Sequence, residues 1–141
     1  MAYMSQERKK EIAKEVKAVA KKYGFGGRDI TVGVRNYSSL VVNIFRGPLD
    51  LIGDANEHNK QYAERTGRPF YEVKGNYQAY WVTAAEKAVD PTVADFFNDL
   101  AKAITSTGYY NNSDAQVDYF DHDFYVDINV GRWDRDYEVT A

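Results

Sequence analysis

The strongest constraint on the fold is a run near the C-terminus in which apolar and polar side chains alternate. Phe124, Val126, Ile128 and Val130 alternate with Tyr125, Asp127, Asn129 and Gly131. Successive side chains of a β-strand point to opposite faces of a sheet, so this run predicts a strand with one buried face. An apolar sheet face has to be covered, so the rest of the chain must supply a layer that packs on it.

Two further strands are predicted in the first third of the chain. Ile30–Val34 alternates in the same way, whereas Leu40–Phe45 is apolar at nearly every position, which favours a more central strand. The connection Asn36–Ser39 consists of turn-forming residues and is short. The two strands are therefore expected to form a hairpin.

The covering layer is predicted to consist of two amphipathic helices. The first spans Ser5–Tyr23, where apolar residues recur with a helical period, and is expected to end at Gly24. The second begins at Asp90, a favourable N-cap followed by Pro91, and carries an apolar stripe up to Ile104.

These elements predict an α+β fold in which an antiparallel sheet of three to five strands carries two main helices packed on one face. At 141 residues, the chain has the size of a single domain covering residues 1–141. The segment 49–89 gives no clear prediction. A short helix within Asn56–Arg65 and short strands or loop at Phe70–Val73 and Tyr77–Val82 are all compatible with its sequence.

The amino-acid composition excludes several types of chemical site and indicates where in the cell the protein is located. The chain has no cysteine, which excludes disulfides, thiolate metal sites and a cysteine nucleophile. No apolar run approaches the roughly 18–20 residues that span a bilayer, and the N-terminus lacks the apolar region of a signal peptide. We therefore expect a cytoplasmic protein without a membrane partner; the oligomeric state stays open.

Charge and aromatic residues are unevenly distributed. Met1–Arg28 holds eight lysines and arginines against three acidic residues, whereas Asp114–Glu138 holds two arginines against eight acidic residues. Many of the 12 tyrosines lie close to these acidic residues in the C-terminal third. Aromatic residues rimmed by charge are typical of protein-binding surfaces, although several of them would also serve simply to cover the sheet.

This pattern yields a candidate partner-binding set in the C-terminal third of the chain. The set comprises Tyr109, Tyr110, Asp114, Asp118, Tyr119, Asp121, Asp123, Tyr125 and Trp133. No catalytic motif of a known class is present, so we expect no catalytic residue, no metal and no cofactor.

Two alternatives remain open. A metal-dependent hydrolase or nuclease would use Asp118, Asp121, His122 and Asp123, since carboxylates with a histidine bind Mg²⁺ or Ca²⁺ or serve acid–base catalysis. On a strand, Asp123 and Asp127 would share a face with Tyr125. The spacing does not match a calcium-binding loop.

The second alternative is a nucleic-acid-binding accessory domain that contacts phosphates through its basic N-terminal helix. Its basic residues are Arg8, Lys9, Lys10, Lys14, Lys17, Lys21 and Lys22. Interleaved glutamates give this helix the character of ordinary surface, so direct nucleic-acid binding is the weaker hypothesis.

Four sequence runs carry a resemblance: Tyr110–Asp114, Asp118–Asp121, Tyr125–Trp133 and the hairpin Val34–Val42. Together with the lysine-rich helix, they resemble a group of small proteins and domains of bacteriophages, plasmids and integrated elements, and segments of large polyvalent proteins. The resemblance covers both ends of the chain and fades in the middle, and it carries no catalytic residue.

The resemblance implies a mobile-element setting, in which small proteins often inhibit host defence by binding, as anti-CRISPR proteins do. The leading hypothesis is a non-enzymatic binding protein that uses its aromatic and acidic surface on a host protein or a protein–nucleic-acid complex. Tyr119→Ala or Asp121→Lys is then expected to weaken binding without unfolding the domain.

Overall fold

The computed structural model describes residues 3–109 and 123–140, which form the element order α-β-β-β-α-β-α-β-β. The helices are α1 (Gln6–Lys22), α2 (Leu51–Thr66) and α3 (Pro91–Ile104). The strands are β1 (Ile30–Arg35), β2 (Ser39–Ile44), β3 (Arg46–Gly47), β4 (Tyr77–Ala79), β5 (Tyr125–Val130) and β6 (Glu138–Val139).

Both predicted helices are present, and their ends follow the residues that the sequence singled out. The Ser5 hydroxyl accepts the Arg8 N–H at 3.1 Å at the start of α1, and Gly24 follows the helix with φ of 87°. Asp90 caps α3 by accepting the Thr92 N–H at 2.9 Å. Each cap satisfies a backbone group that the helix itself leaves without a partner.

The main sheet has the strand order β1-β2-β5-β4. Strands β1 and β2 form the predicted antiparallel hairpin, and β4 is antiparallel to β5. Strand β5 runs parallel to β2, with Ser39 opposite Tyr125 and Ile44 opposite Val130. A further small sheet pairs β3 with β6.

The expectation of a purely antiparallel sheet is therefore wrong in one respect, because the sheet is mixed. A parallel pair needs a long crossover, and the chain between β2 and β5 contains both α2 and α3. The crossover returns the chain to the end of the sheet where β2 starts, where the Tyr125 N–H donates to the Ser38 carbonyl at 2.9 Å.

The middle segment contains a longer helix than the sequence suggested. Asp50 caps α2 by accepting the Gly53 N–H at 2.9 Å, and Gly67, with φ of 70°, ends it. The following loop is fixed to α2 by Asn56, whose side-chain amide bonds both the N–H and the carbonyl of Val73. Only Leu51 of α2 is buried, which explains why the sequence shows no clear apolar stripe here.

The core lies between one face of the sheet and the helices α1 and α3, so the prediction of an α+β fold with two helices on one face is confirmed. Its fully buried members include Ile12 and Val16 of α1, Phe96 and Leu100 of α3, and Leu40 of β2. No helix in the described part of the chain is long and apolar enough to cross a membrane.

Candidate functional site

The second face of the sheet, called the open face below, carries side chains that are half-buried or exposed. Its residues alternate with the buried ones along each strand. They are Thr31, Gly33, Arg35, Ser39, Val41, Asn43, Gln78, Tyr125, Asp127 and Asn129.

One row of the open face is a chain of neutral hydrogen bonds across three strands. Asn129 donates its Nδ2 to Asn43 Oδ1 at 2.9 Å, and Asn43 donates in turn to Thr31 Oγ1 at 3.4 Å. The three residues are opposite one another in register. The row explains why Asn43 and Asn129 are polar although they belong to the central strands β2 and β5.

A second group on the open face centres on the carboxylate of Asp127, which is 19% exposed. Arg35 reaches from β1 across β2 to form an ion pair with this carboxylate. Gln78 of β4 donates its Nε2 to the same carboxylate at 2.9 Å. Asp127 is thus neutralised within the sheet, and the centre of the open face offers polar groups without an unpaired charge.

Four exposed tyrosines lie at the end of the sheet where β2 and β5 begin, and this group is called the tyrosine end below. They are Tyr3, Tyr37, Tyr80 and Tyr125, with 59%, 80%, 61% and 47% of their surface exposed. Tyr80 directly follows β4, next to the position paired with Ile128, and lines the same surface recess as Tyr125 and Asp127.

Backbone hydrogen bonds hold three segments together at the tyrosine end. The Met4 N–H donates to the Tyr37 carbonyl at 2.7 Å, and the Tyr3 N–H donates to the Asp123 carbonyl at 3.1 Å. The Tyr125 N–H bonds Ser38, the residue that follows Tyr37. The tyrosines are therefore carried by a backbone whose relative placement is fixed.

Tyr37 occupies an unusual backbone conformation. It has φ of 60° and follows Asn36 with φ of 53°, so two successive residues are in the left-handed region. Asparagine tolerates this region, whereas for a bulky residue it costs roughly 1–2 kcal/mol. The side chain recovers little of this cost by burial because it is 80% exposed. An aromatic residue held at such a position points to a role outside folding.

A packed aromatic layer lies beneath the tyrosine end. The ring of Tyr109 meets Trp81 at 5.3 Å and Phe124 at 5.1 Å between centroids, both edge to face. Burial raises the pKa of the Tyr109 hydroxyl, and the neighbouring Tyr80 adds to the effect. Tyr109 thus supports the exposed tyrosines and is itself half-buried.

The Asp123 carboxylate stabilises the fold through an ion pair with Arg8. Its two carboxylate oxygens accept from Arg8 at 2.6 and 2.5 Å, and only 12% of the side chain is exposed. Arg8 also donates to Thr107 Oγ1 at 2.7 Å and lies 4.8 Å from the ring centre of Phe124. Asp123 turns to the helix layer while Asp127 lies on the open face, so the expectation that the two share a face is wrong.

Trp133 is 86% exposed but lies elsewhere. It belongs to the turn after Val130, at the opposite end of β5 from Tyr125. Five residue steps along a strand amount to roughly 17 Å. The structure therefore brings Tyr109, Asp123 and Tyr125 together and leaves Trp133 apart from them.

The remaining members of the predicted set, Tyr110, Asp114, Asp118, Tyr119 and Asp121, lie outside the described residues, as does His122. They belong to the segment that connects Tyr109 to Asp123. Across residues 3–109 and 123–140, no group of three or more histidine, aspartate or glutamate side chains is arranged to hold a metal ion. Asp123, the described carboxylate of the hydrolase hypothesis, pairs with Arg8, and the nearby Asp127 pairs with Arg35.

The sequence pointed to Tyr109 and Tyr125 but not to Tyr3, Tyr37 or Tyr80. Tyr37 could have been identified from the sequence, since a large aromatic residue is unusual within a run of turn-forming residues. Tyr3 and Tyr80 join the site only through tertiary structure.

The basic helix is partly used by internal contacts. Arg8 pairs with Asp123, Lys17 donates to the carbonyls of Gly27 and Ile30, and Lys22 pairs with Asp99 at 2.8 Å. Hydrogen bonds from Lys22 and Tyr23 lower the pKa of Asp99. Burial and the hydrogen bond to Asp99 raise the pKa of Tyr23 to about 12.

A cavity of about 220 Å³ lies between α2, β4 and α3. Its walls include Phe97, Tyr77 and several alanines, with His58 at the α2 side. Asp54 also lines it, but its carboxylate accepts the N–H groups of Val89 and Asp90. The cavity is smaller than an ordinary ligand pocket, and its lining mixes apolar side chains with polar ones such as Asn59 and Gln78.

No protein-family model, curated protein or solved structure matches this chain.

Proposed function

We propose that the chain is a non-enzymatic protein-binding protein and that its partner docks on the tyrosine end and the adjoining open face. The observation that carries this proposal is the convergence of Tyr3, Tyr37, Tyr80 and Tyr125 at one end of the sheet, each at least 47% exposed.

The chemistry of this surface supports a protein partner. Tyrosine offers a large contact area, a polar tip and little rotamer entropy to lose, so it is enriched among the residues that dominate binding energy. Arg35 and Asp127 already neutralise each other beside these rings. A partner can cover the pair without burying an unpaired charge, which would oppose binding.

The strain at Tyr37 supports the same proposal. Glycine would fit its backbone better, and the exposed ring adds little to the core. A tyrosine at this position is accounted for if its ring contacts another molecule.

The resemblance to mobile-element proteins makes a host defence protein, alone or bound to nucleic acid, the first class of partner to test. A phage or plasmid protein of this kind would act in the cytoplasm of its host. Tyr119 and Asp121 remain proposed contributors, because the described residues Tyr109 and Asp123, which flank their segment in the sequence, lie beside this surface.

Site-specific photo-cross-linking in bacterial cells tests the proposal. A benzophenone amino acid would replace Tyr80 or Tyr125 in two separate variants. The matched control replaces Tyr71, which is 74% exposed and lies in the loop before β4, where its carbonyl accepts a hydrogen bond from Asn59 of α2.

We expect one and the same protein to be cross-linked from both test positions and to be absent from the control. Tyr37→Gly, introduced into the Tyr125 variant, should remove this adduct. The proposal fails if neither test position yields a protein adduct, or if Tyr71 captures the same protein equally well.

A further inference from the structure

Strand β5 is only partly paired on the side that faces β4. It pairs with β2 along its whole length, from Tyr125 to Val130. Its pairing with β4 stops at Ile128, which lies opposite Ala79. Among the described residues, the first three residues of β5 therefore have a strand neighbour on one side only, although β5 lies inside the sheet.

Strand β4 is short because the chain turns away at Tyr80. The N–H groups of Thr83 and Ala84 both donate to the Tyr80 carbonyl, at 3.1 and 2.8 Å. If β4 continued by two residues in the same register, Trp81 would lie opposite Val126. The turn takes Trp81 out of this register, so no strand of the described sheet lies beside Val126 on this side.

The backbone groups of Val126 point to this unpaired side. The Tyr125 N–H donates to the Ser38 carbonyl and the Gly131 N–H to the Ile44 carbonyl, so every second residue of β5 bonds toward β2. Since the direction alternates along a strand, the N–H and carbonyl of Val126 point the other way. In the part of the chain that the structure describes, neither group has a hydrogen-bond partner. An unpaired strand edge of this kind is a template for an additional strand.

A surface recess of about 490 Å³ lies at this edge and is called the β5 recess below. It is lined by residues 124–127 on one side, by residues 80–82 on the other and by Tyr109. Its volume is that of an ordinary ligand pocket. Because protein flanks it on both sides, the recess suits a single extended segment better than the edge of a second sheet.

The alternation of side chains decides which residues such a segment would carry. A residue opposite Val126 would share its face and point to the core side, because paired residues of neighbouring strands do so. There it would meet the aromatic layer of Trp81 and Tyr109, whose ring centres are 5.3 Å apart, so an apolar side chain fits. The residues before and after it would lie on the open face, beside Tyr125 and the already neutralised Asp127. Uncharged polar side chains suit these positions.

We propose that the β5 recess accepts one extended segment of the partner protein as an additional strand, with an apolar residue opposite Val126 between uncharged polar residues. The inference rests on the proposed function, because Tyr80 and Tyr125 belong both to the tyrosine end and to the recess. Main-chain hydrogen bonds to Val126 would fix the register, and the aromatic layer would select the apolar side chain.

A capped peptide of sequence Thr-Thr-Ile-Thr-Thr is the probe, and amide hydrogen exchange is followed by NMR on the whole chain. In the free protein, the Val126 amide should exchange about tenfold faster than that of Ile128, which points the same way but pairs with Ala79. The peptide should slow exchange at Val126. It should leave unchanged the amide of Val32, which points outward from the terminal strand β1.

Two altered peptides separate backbone pairing from the apolar contact. N-methylation of the isoleucine removes its N–H and should weaken binding by about fivefold, the effect of one lost hydrogen bond. Aspartate in place of isoleucine would put a charge against the aromatic layer and should weaken binding by about tenfold or more.

Two valine variants test the recess from the side of the protein. Val82 lines the recess and is 52% exposed, so Val82→Arg would fill it with a long charged side chain. Val89, which is 38% exposed, belongs to the same connection between β4 and α3 but does not line the recess, so Val89→Arg is the matched control. Val82→Arg should abolish protection of Val126 by the peptide and reduce the cross-link from Tyr125 to the partner, whereas Val89→Arg should leave both unchanged.

The inference is overturned if Val126 is as protected as Ile128 in the free protein, because the chain itself would then pair with this edge. Equal binding of the three peptides, or equal protection of Val32 and Val126, would also overturn it. If the partner is cross-linked equally well in both valine variants, the inference fails while the proposed docking surface stands. If no partner is cross-linked from Tyr80 or Tyr125, the proposed function fails and the inference fails with it.

Discussion

Replacing Asp123 with asparagine should destabilise the fold by about 2 kcal/mol, because Asp123 pairs with a poorly exposed arginine. An exposed ion pair contributes ~0.2–1 kcal/mol, whereas removing one partner of a buried pair costs ~3–5 kcal/mol. The Arg8–Asp123 pair lies between these limits, with 22% and 12% of the side chains exposed. Arg8 keeps its bond to Thr107 in the variant, which limits the loss.

Urea unfolding measures this effect. A loss of about 2 kcal/mol corresponds to a midpoint lowered by about 1 M at an ordinary m-value. Arg8→Met and the double variant complete a mutant cycle, in which we expect a coupling of about 1–2 kcal/mol. Asp134→Asn is the control, since its ion pair with Arg132 spans 3.4 Å and is nearly half exposed. A change below about 0.5 kcal/mol in Asp123→Asn would refute the structural role of this carboxylate.

Three further predictions concern other parts of the fold. Gly47→Ala should cost about 1–3 kcal/mol in thermal or urea unfolding, because the added methyl group would overlap the buried ring of Phe25. In an absorbance titration, Tyr23 should ionise with a pKa of about 12, and its pKa should move toward the ordinary value in Asp99→Asn. Because the pKa of Tyr23 is raised in the folded state, the free energy of unfolding should fall as the pH rises from about 10 toward 12. An unchanged titration of Tyr23 in Asp99→Asn would contradict the role of the Asp99 hydrogen bond. Tyr37→Gly should keep or raise the stability by up to about 1 kcal/mol, and a clear loss of stability would show that the ring has a structural role.

Periodicity and capping residues were sufficient to predict the helices and strands that bury one face and expose the other. The strands around Val32, Leu40 and Ile128 and the helix that begins after Asp90 follow directly from periodicity and capping. In these segments one face meets the core, so the pattern of apolar residues reports the structure.

The direction of β5 and the length of α2 could not be read from the sequence in the same way. Strand alternation is identical for parallel and antiparallel pairs, so it carries no information on direction. Helix α2 buries only Leu51, so its sequence lacks the stripe by which a helix is recognised.

The candidate site, too, could be predicted only in part from the sequence. Composition identified tyrosines near acidic residues, and Tyr125 belongs to the exposed group. It could not reveal that Asp123 is paired with Arg8, a residue far away in the chain, or that Tyr3 and Tyr37 converge on the same end. Both facts depend on the docking of the N-terminus against the hairpin turn.

The most direct test of the central claim is the affinity of two tyrosine variants for the partner captured by cross-linking. Calorimetry with the purified partner should show that Tyr125→Ala weakens binding by about thirtyfold, the effect of a residue that dominates an interface, with an unchanged unfolding midpoint. Tyr71→Ala, with a similarly exposed ring outside the tyrosine end, should change the affinity by less than about twofold. Equal effects of the two variants, or an effect of Tyr71→Ala alone, would contradict the assignment of the binding surface.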